Sequence, residues 1–341
     1  MKSNFFLILL FFCTTCFAQQ YKVGCVGFYN LENLFDTEDD PSIRDEEYTP
    51  KGSKAWTAEM YNGKLDRMAD VISQLGTELS PDGIALLGVA EIENRKVLED
   101  LTQHEKLAKR KYEIVHYNSP DRRGIDVGLI YQPKYFKVTS SRAVPLMLYR
   151  GDSTRIFTRD ILYVSGDFDG EPIHVLVNHW PSRRGGEQAS RPLREAGAAV
   201  CKGIIDSLTQ AHPDAKILLM GDLNDDPVNT SLKKVLKTER KKDKVKQGGL
   251  FNPMEDLFRK GYGSNAYRDA WSLFDQVVLS EGILSPDKGY NYYKTQIFNK
   301  DFMLQKTGRF KGYPFRTHAG GEYLGGYSDH FPVYVFLVKE I

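Results

Sequence analysis

Four consecutive apolar residues at 217–220, bounded by polar neighbours, predict a short strand buried on both faces, with Gly221 turning the chain where the burial stops. The same pattern predicts strands at 23–29, 84–90, 112–117, 127–131, 136–144, 159–168, 173–178, 273–279 and 333–338. Leu65, Met68, Ala69, Ile72 and Leu75 recur at helical spacing and place a helix over 64–75. Further helices are expected at 97–109 and 188–208, with a short one from Thr230. The acidic, proline-containing stretch 36–50 and the aromatic-rich stretch leading to Gly326 read as loops. Strands 159–168 and 173–178 read as an antiparallel pair about Asp169-Gly170. Hairpins mixed with helical crossovers give an α/β or α+β class, with two packed mixed sheets flanked by helices rather than one parallel sheet.

Polar residues of a few kinds recur where these strands end: Asn30, Glu91, His179, Asp222, Asn224, Asp275, Asp329 and His330. Loops held by a rigid scaffold are where catalytic groups gather. If the extended run continues past Gly221, Asp222 and Asn224 project from the same face and present a carboxylate and an amide to one point. Such a pair suits a phosphate centre with a hard cation, although Gly, Asp and Asn are also ordinary turn residues.

Composition narrows the class. A net charge of +1 over 341 residues excludes a globally basic nucleic-acid coat, so any polyanion must meet a local patch. Residues 1–18 read as a signal peptide, with Lys2, an apolar run at 5–12 and the small-x-small site Cys16-Phe17-Ala18. Cys13 stands where a lipobox needs an aliphatic residue, which disfavours a lipoprotein. The mature chain then starts at Gln19 or Gln20, no later run approaches a membrane span, and the protein is expected to be secreted or periplasmic. Residues 19–341 are expected to form a single domain. Of 4 cysteines, Cys25 and Cys201 remain in it, both in apolar surroundings, and read as buried free thiols with no zinc site.

The stretches Phe28-Tyr29-Asn30-Leu31-Glu32-Asn33, Ala90-Glu91-Ile92, Thr158-Arg159, Asn178-His179-Trp180, Gly221-Asp222-Leu223-Asn224, Phe274-Asp275-Gln276-Val277 and Ser328-Asp329-His330 occur in this order. In that order they resemble the motifs of the endonuclease/exonuclease/phosphatase superfamily over nearly all of residues 19–341, as in a secreted bacterial member. The resemblance implies a four-layer deoxyribonuclease I-like sandwich and a metal-dependent phosphoesterase, with Mg2+ as the usual ion and Mn2+ or Ca2+ as alternatives. It implies that Glu91 is the principal metal ligand with Asn30 beside it, and that Asp222 and Asn224 contact the nucleophilic water and the phosphate. His330, held by Asp275, would be the base or transition-state stabiliser, Asp329 an additional metal-site carboxylate, and His179 and Arg159 phosphate contacts. The physics agrees with that allocation: magnesium takes hard oxygen ligands and keeps waters, and a histidine paired to a buried carboxylate suits acid-base work near neutral pH. His330 and Asp222 are both candidates to activate the water. Without the family pattern, Glu91 and Asp329 would read as solvated caps and His179 as a satisfied strand-end histidine. His104, His116, His174 and His212 read as structural or solvent-facing, and His318 is undecided. Glu32 and Glu93 lie near the motifs and are unassigned, Glu32 being the better candidate of the two for contacts that support the site.

The expected substrate is nucleic acid. Lys233, Lys234, Lys237, Arg240, Lys241, Lys242, Lys244 and Lys246 follow the Asp222 loop and either track a phosphate backbone or form a solvated surface. Residues 288–316 interleave aromatics with cations, which suits base stacking as well as a packed loop. A nuclease acting on DNA, RNA or both is the leading reading. A phosphodiesterase or phosphatase acting on a lipid head group or small phosphoester comes second, and an inactive binding scaffold third. No obligate protein partner is evident.

Overall fold

The computed structural model describes residues 20–341, so the expected signal peptide at 1–18 lies outside the described residues. Thirteen strands build two sheets: β1 (Tyr21–Leu34), β2 (Leu86–Ile92), β3 (Glu113–His116), β4 (Asp126–Tyr131), β5 (Phe136–Val144), β6 (Ile161–Phe168), β7 (Glu171–His179), β8 (Ile217–Asp222), β9 (Thr238–Glu239), β10 (Leu250–Phe251), β11 (Asp275–Ser280), β12 (Asn291–Ile297) and β13 (Val333–Glu340). The 6-stranded sheet runs β12-β13-β1-β2-β4-β3, and the 7-stranded sheet runs β9-β10-β11-β8-β7-β6-β5. Each is mixed. β1 is parallel to β2 and antiparallel to β13, while β8 is parallel to β7 and antiparallel to β11.

Alternation along the central strands explains the layers. Val26 and Phe28 of β1 meet Leu218 and Met220 of β8 between the sheets. Cys25 and Tyr29 turn outward to helix α1 (Ala58–Gln74) and helix α2 (Arg95–Gln103), and Leu219 turns outward to helix α3 (Glu187–Ala211). The result is the four-layer, deoxyribonuclease I-like sandwich. Thr57 caps α1 by accepting from the Met60 N–H, and Asn94 caps α2 by accepting from Val97. Cys25 and Cys201 are buried free thiols, as expected. Among the described residues no helix is long and apolar enough to cross a membrane.

Several boundaries differ from the sequence pattern. The expected loop-rich stretch leading to Gly326 contains the edge strand β12, and α2 stops at Gln103, short of the expected helix end at 109, with Leu107 still buried beyond it. Gly221 does not turn the chain. It lies inside β8, where a Cβ would stand 2.2 Å from the Asn178 carbonyl oxygen, so close approach to β7 demands glycine. Asp169 and Gly170 both have positive φ and close the expected two-residue hairpin.

Candidate active site

One end of both sheets carries the polar strand-end residues, because parallel strands finish there and antiparallel ones begin. In sheet register Asp222 pairs with His179 on one side and Asp275 on the other. Asp275 is the first residue of β11, two residues later than the strand start at Leu273 expected from sequence. The other sheet contributes Asn30 and Glu91 through two register shifts, at Asn30–Leu34 and at Ala90–Ile92. Within them Glu32, Asn33 and Glu91 take φ of 48, 54 and 57°. Left-handed backbone at side-chain-bearing residues is strained, and bulges re-aim side chains beside active sites.

That re-aiming brings Glu91 to Asp222. The Asn30 amide donates to Glu91 Oε1 at 3.2 Å and to Asp222 Oδ2 at 3.1 Å, bridging the sheets. Asn30 Oδ1 accepts the Glu32 N–H at 2.9 Å, so the amide nitrogen rather than the oxygen faces the carboxylates. This differs from the direct ligand role implied for Asn30: here it is a clamp on two anions. Asp222 Oδ2 is central, 3.6 Å from His179 Nε2 and 3.9 Å from His330 Nε2, while Glu91 Oε1 is 3.8 Å from His179 Nε2. His330 Nδ1 lies 2.6 Å from Asp275 Oδ2, the contact expected from sequence.

Other expected site residues sit differently. The extended run ends at Asp222, and Asn224 takes φ of 50°. Its backbone N–H donates to Asp222 Oδ1 and its amide to the Trp180 carbonyl, so the pair is not an alternating strand face. Arg159 is buried and donates to the His179 and Trp180 carbonyls and to Asp121. With these donors engaged it braces the His179 segment instead of standing free for phosphate. Asp329 is at the rim, 3.7 Å from Arg316 and 4.0 Å from His330 Nε2, outside both close groups of ligating atoms. His116 pairs with buried Asp126, His174 meets the Tyr163 hydroxyl, and His318 packs against Trp56 and Tyr323.

Burial pushes the Glu91 carboxyl up, and the Asp329 charge adds to it while His330 opposes. Asp222 is likewise raised by burial, with Asp275 and Glu91 adding and His330 opposing. Burial works against the His330 imidazolium, but the carboxylates of Asp275 and Asp222 outweigh it and hold His330 well above an ordinary histidine. His179 goes the other way, driven well down by burial and by the charges of Arg159 and Arg123. The two imidazoles are thus pushed in opposite directions by their surroundings.

The donor set fits a divalent cation. Ligating atoms of Glu91, His179 and Asp222 lie within 4.8 Å of one another, as do those of Asp222, Asp275 and His330. Glu91 Oε1, partly buried, and Asp222 Oδ2, buried, share the single Asn30 amide donor, so negative charge between them is under-compensated. Three contributors carried no motif signal. Asp121 accepts from both Arg159 and Arg123, which sets the Arg123 guanidinium beside the centre. Trp271 stacks on Phe331, next to His330, with ring centroids 6.0 Å apart. Lys64 is buried behind the site, and its place in the apolar stripe of α1 was the available clue.

No curated protein matches the chain. Solved structures share the fold at low identity: TDP2 of D. rerio, humanized by 14 mutations, is 13% identical with TM-score 0.54 over 92% of this chain and 98% of that one. An endonuclease/exonuclease/phosphatase family protein from Bacteroides thetaiotaomicron is 15% identical with TM-score 0.54 over 95% and 98%. Truncated Caenorhabditis elegans TDP2 is 18% identical with TM-score 0.52 over 92% and 97%. The sequence model of one family matches residues 25–339, spanning every site residue described above, and the chain belongs to that family, the Endonuclease/Exonuclease/phosphatase family.

Proposed function

We propose that the chain is a divalent-metal-dependent phosphodiesterase acting on nucleic acid, DNA or RNA, in a secreted or periplasmic setting. The observation that carries this reading is the position of Asp222 Oδ2, with Glu91 and His179 on one side and the Asp275-held His330 on the other. Glu91 and Asp222 would hold magnesium, manganese or calcium, which when bound supplies charge neutralisation at a phosphoryl oxygen. Asp222, whose Oδ2 lies between His179 and His330, accepts the proton of the attacking water. His330, held as imidazolium by Asp275, directs Nε2 at the charge that develops on the phosphoryl group. His179, kept neutral, presents Nε2 to the same centre without competing with a cation.

Two flanks support a nucleic-acid substrate. On one, Trp271 on Phe331 continues through Tyr313 to Phe310, forming partly exposed aromatic faces beside His330. On the other, the guanidinium groups of Arg122 and Arg155 both stand within 5.1 Å of the Phe157 ring centroid, close in sequence to Arg123 and to the Asp121–Arg159 pair. TDP2 of D. rerio, which shares the fold, has been solved with a single-strand DNA product.

The test is one panel of plasmid, linear duplex, single-stranded DNA, RNA and bis-nitrophenyl phosphate, each with magnesium, manganese, calcium or excess chelator. Nucleic acid should be cut, with activity lost in chelator and regained with magnesium or manganese. Full cleavage in excess chelator sinks the metal mechanism. Turnover of the small diester alone moves the substrate to a lipid head group or small phosphoester, and no turnover at all leaves a binding scaffold.

A further inference from the structure

We propose that Lys64 and Glu32 are positioning residues: a buried cross-link that sets the 317–330 segment, and with it His330, in register with Asn30. This rests on the phosphoesterase reading above. Lys64 projects from α1 and is fully buried, with Leu65 and Met68 of the same face packed in the core. A methionine or leucine would satisfy that stripe. A lysine there must find partners, because an unpaired buried ammonium is costly. Its partners all belong to the segment that ends in His330: Nζ donates to Thr317 Oγ1 at 2.6 Å and to the Tyr327 carbonyl at 2.5 Å.

Glu32 closes the link from the other side. Its carboxylate accepts the Thr317 N–H at 2.6 Å and the His318 N–H at 3.3 Å. Its own backbone N–H donates to Asn30 Oδ1, which leaves the Asn30 amide free to clamp Glu91 and Asp222. Ser328 Oγ donates to the Asn30 carbonyl at 2.7 Å and accepts the His330 N–H at 3.1 Å. A continuous chain of hydrogen bonds thus runs from α1 through 317–328 to the two histidine-facing carboxylates and the backbone of His330. The side-chain hydrogen bonds of Lys64 and Glu32 end on Thr317, His318 and Tyr327 rather than on Asp222 or His330, so both act through the groups they hold. The Lys64 charge also bears on Glu91 and Asp329, so it is part of the field of the site as well as a brace. Glu32 holds this place at φ of 48°, a strained conformation that the two donated N–H groups stabilise.

The experiment compares Lys64→Met, Thr317→Val and Glu32→Gln with the parent, each also on a His330→Ala background, by amide hydrogen exchange and by turnover of bis-nitrophenyl phosphate. Lys64→Met should lower kcat about 10- to 100-fold with KM within about twofold, since sub-ångström misplacement of a catalytic group has that effect. On the His330→Ala background the same change should cost less than about twofold, because the group it positions is gone. Amides of residues 317–330 should exchange about tenfold faster while those of the central strands keep their protection. Glu32→Gln, which keeps an acceptor for Thr317, should retain most of the activity, and Thr317→Val reads out the same link if Lys64→Met does not fold. Unchanged exchange at 317–330 in the folded variants overturns the cross-link whatever the substrate proves to be, since that measurement needs no turnover. Equal kcat losses with and without His330 overturn the positioning role even if the exchange changes. Absence of turnover in the parent would count against the phosphoesterase reading alone.

Discussion

His330 and Asp275 lie 55 positions apart in sequence and 2.6 Å apart in space, both buried. The pair acts as one unit: Asp275 fixes the ring and favours its charged form, and Nε2 is left facing Asp222 at 3.9 Å. His330→Ala should cut kcat by about two to three orders of magnitude with the fold intact, as loss of a donor aimed at developing transition-state charge does. Asp275→Asn should lose much of that activity, and the double mutant should be little worse than His330→Ala. Losses that multiply would give Asp275 another role. Because the folded pKa of His330 is raised, its charge stabilises the protein fully below the unfolded histidine value of about 6.5 and the contribution disappears as pH rises through the folded value. In metal-free protein the stability difference between parent and His330→Ala should therefore shrink on going alkaline, as thermal melts across pH would show. Imidazole NMR should place His330 above an ordinary histidine and Asp275→Asn should bring it down.

Elements differ in how much of this arrangement their residues announce. The all-apolar run of β8 is legible because both its faces are buried, against Met220's neighbours between the sheets and against α3 outside. β12 escaped detection because a register shift between Tyr292 and Lys294 breaks the alternation that marks a strand. The bulge that aims Glu91 is equally silent, since Ala-Glu-Ile carries no glycine to flag its positive φ. Motif order could name Asn30, Glu91, Asp222 and His330, but not that the Asn30 nitrogen faces the carboxylates or that Arg159 is braced behind His179. Those facts depend on which donor reaches which acceptor across two sheets. Gly221 shows the same limit, being required by the backbone of β7 and not by a turn. Because a backbone oxygen cannot swing aside, Gly221→Ala should destabilise by about 3 kcal/mol, the upper part of the usual overpacking range. Urea unfolding should show a lower midpoint with an unchanged slope. A neutral result would mean that β7 and β8 separate freely at Asn178.

At the scale of the whole molecule, a net charge of +1 leaves recognition of a polyanion to the placement of its cations. The lysine run at 233–246 follows the Asp222 loop in sequence but not in space. Lys242 and Val245 border a shallow cleft with Glu281 and Leu284, beyond the Ser280 end of β11, whereas Asp275 at the other end faces the site. Five residue steps of about 3.3 Å put roughly 17 Å of strand between them. Lys233 and Arg240 are also engaged, by Glu255 and Asp256. The guanidinium groups of Arg122 and Arg155, by contrast, stack on Phe157, and Arg123, the next residue after Arg122, carries a charge that reaches both Glu91 and His179. Neutralising phosphates releases counterions, so each contact adds about 0.7 to 0.9 to the salt slope of binding. Replacing Arg122 and Arg155 with glutamine should raise KM for long DNA and flatten its dependence on salt by about one to two, leaving the small chromogenic diester nearly untouched. Replacing Lys241, Lys242 and Lys244 should change neither substrate. If the lysine variants flatten the salt slope and the arginine variants do not, the substrate crosses the far end of the sandwich and the path of the nucleic acid has to be redrawn.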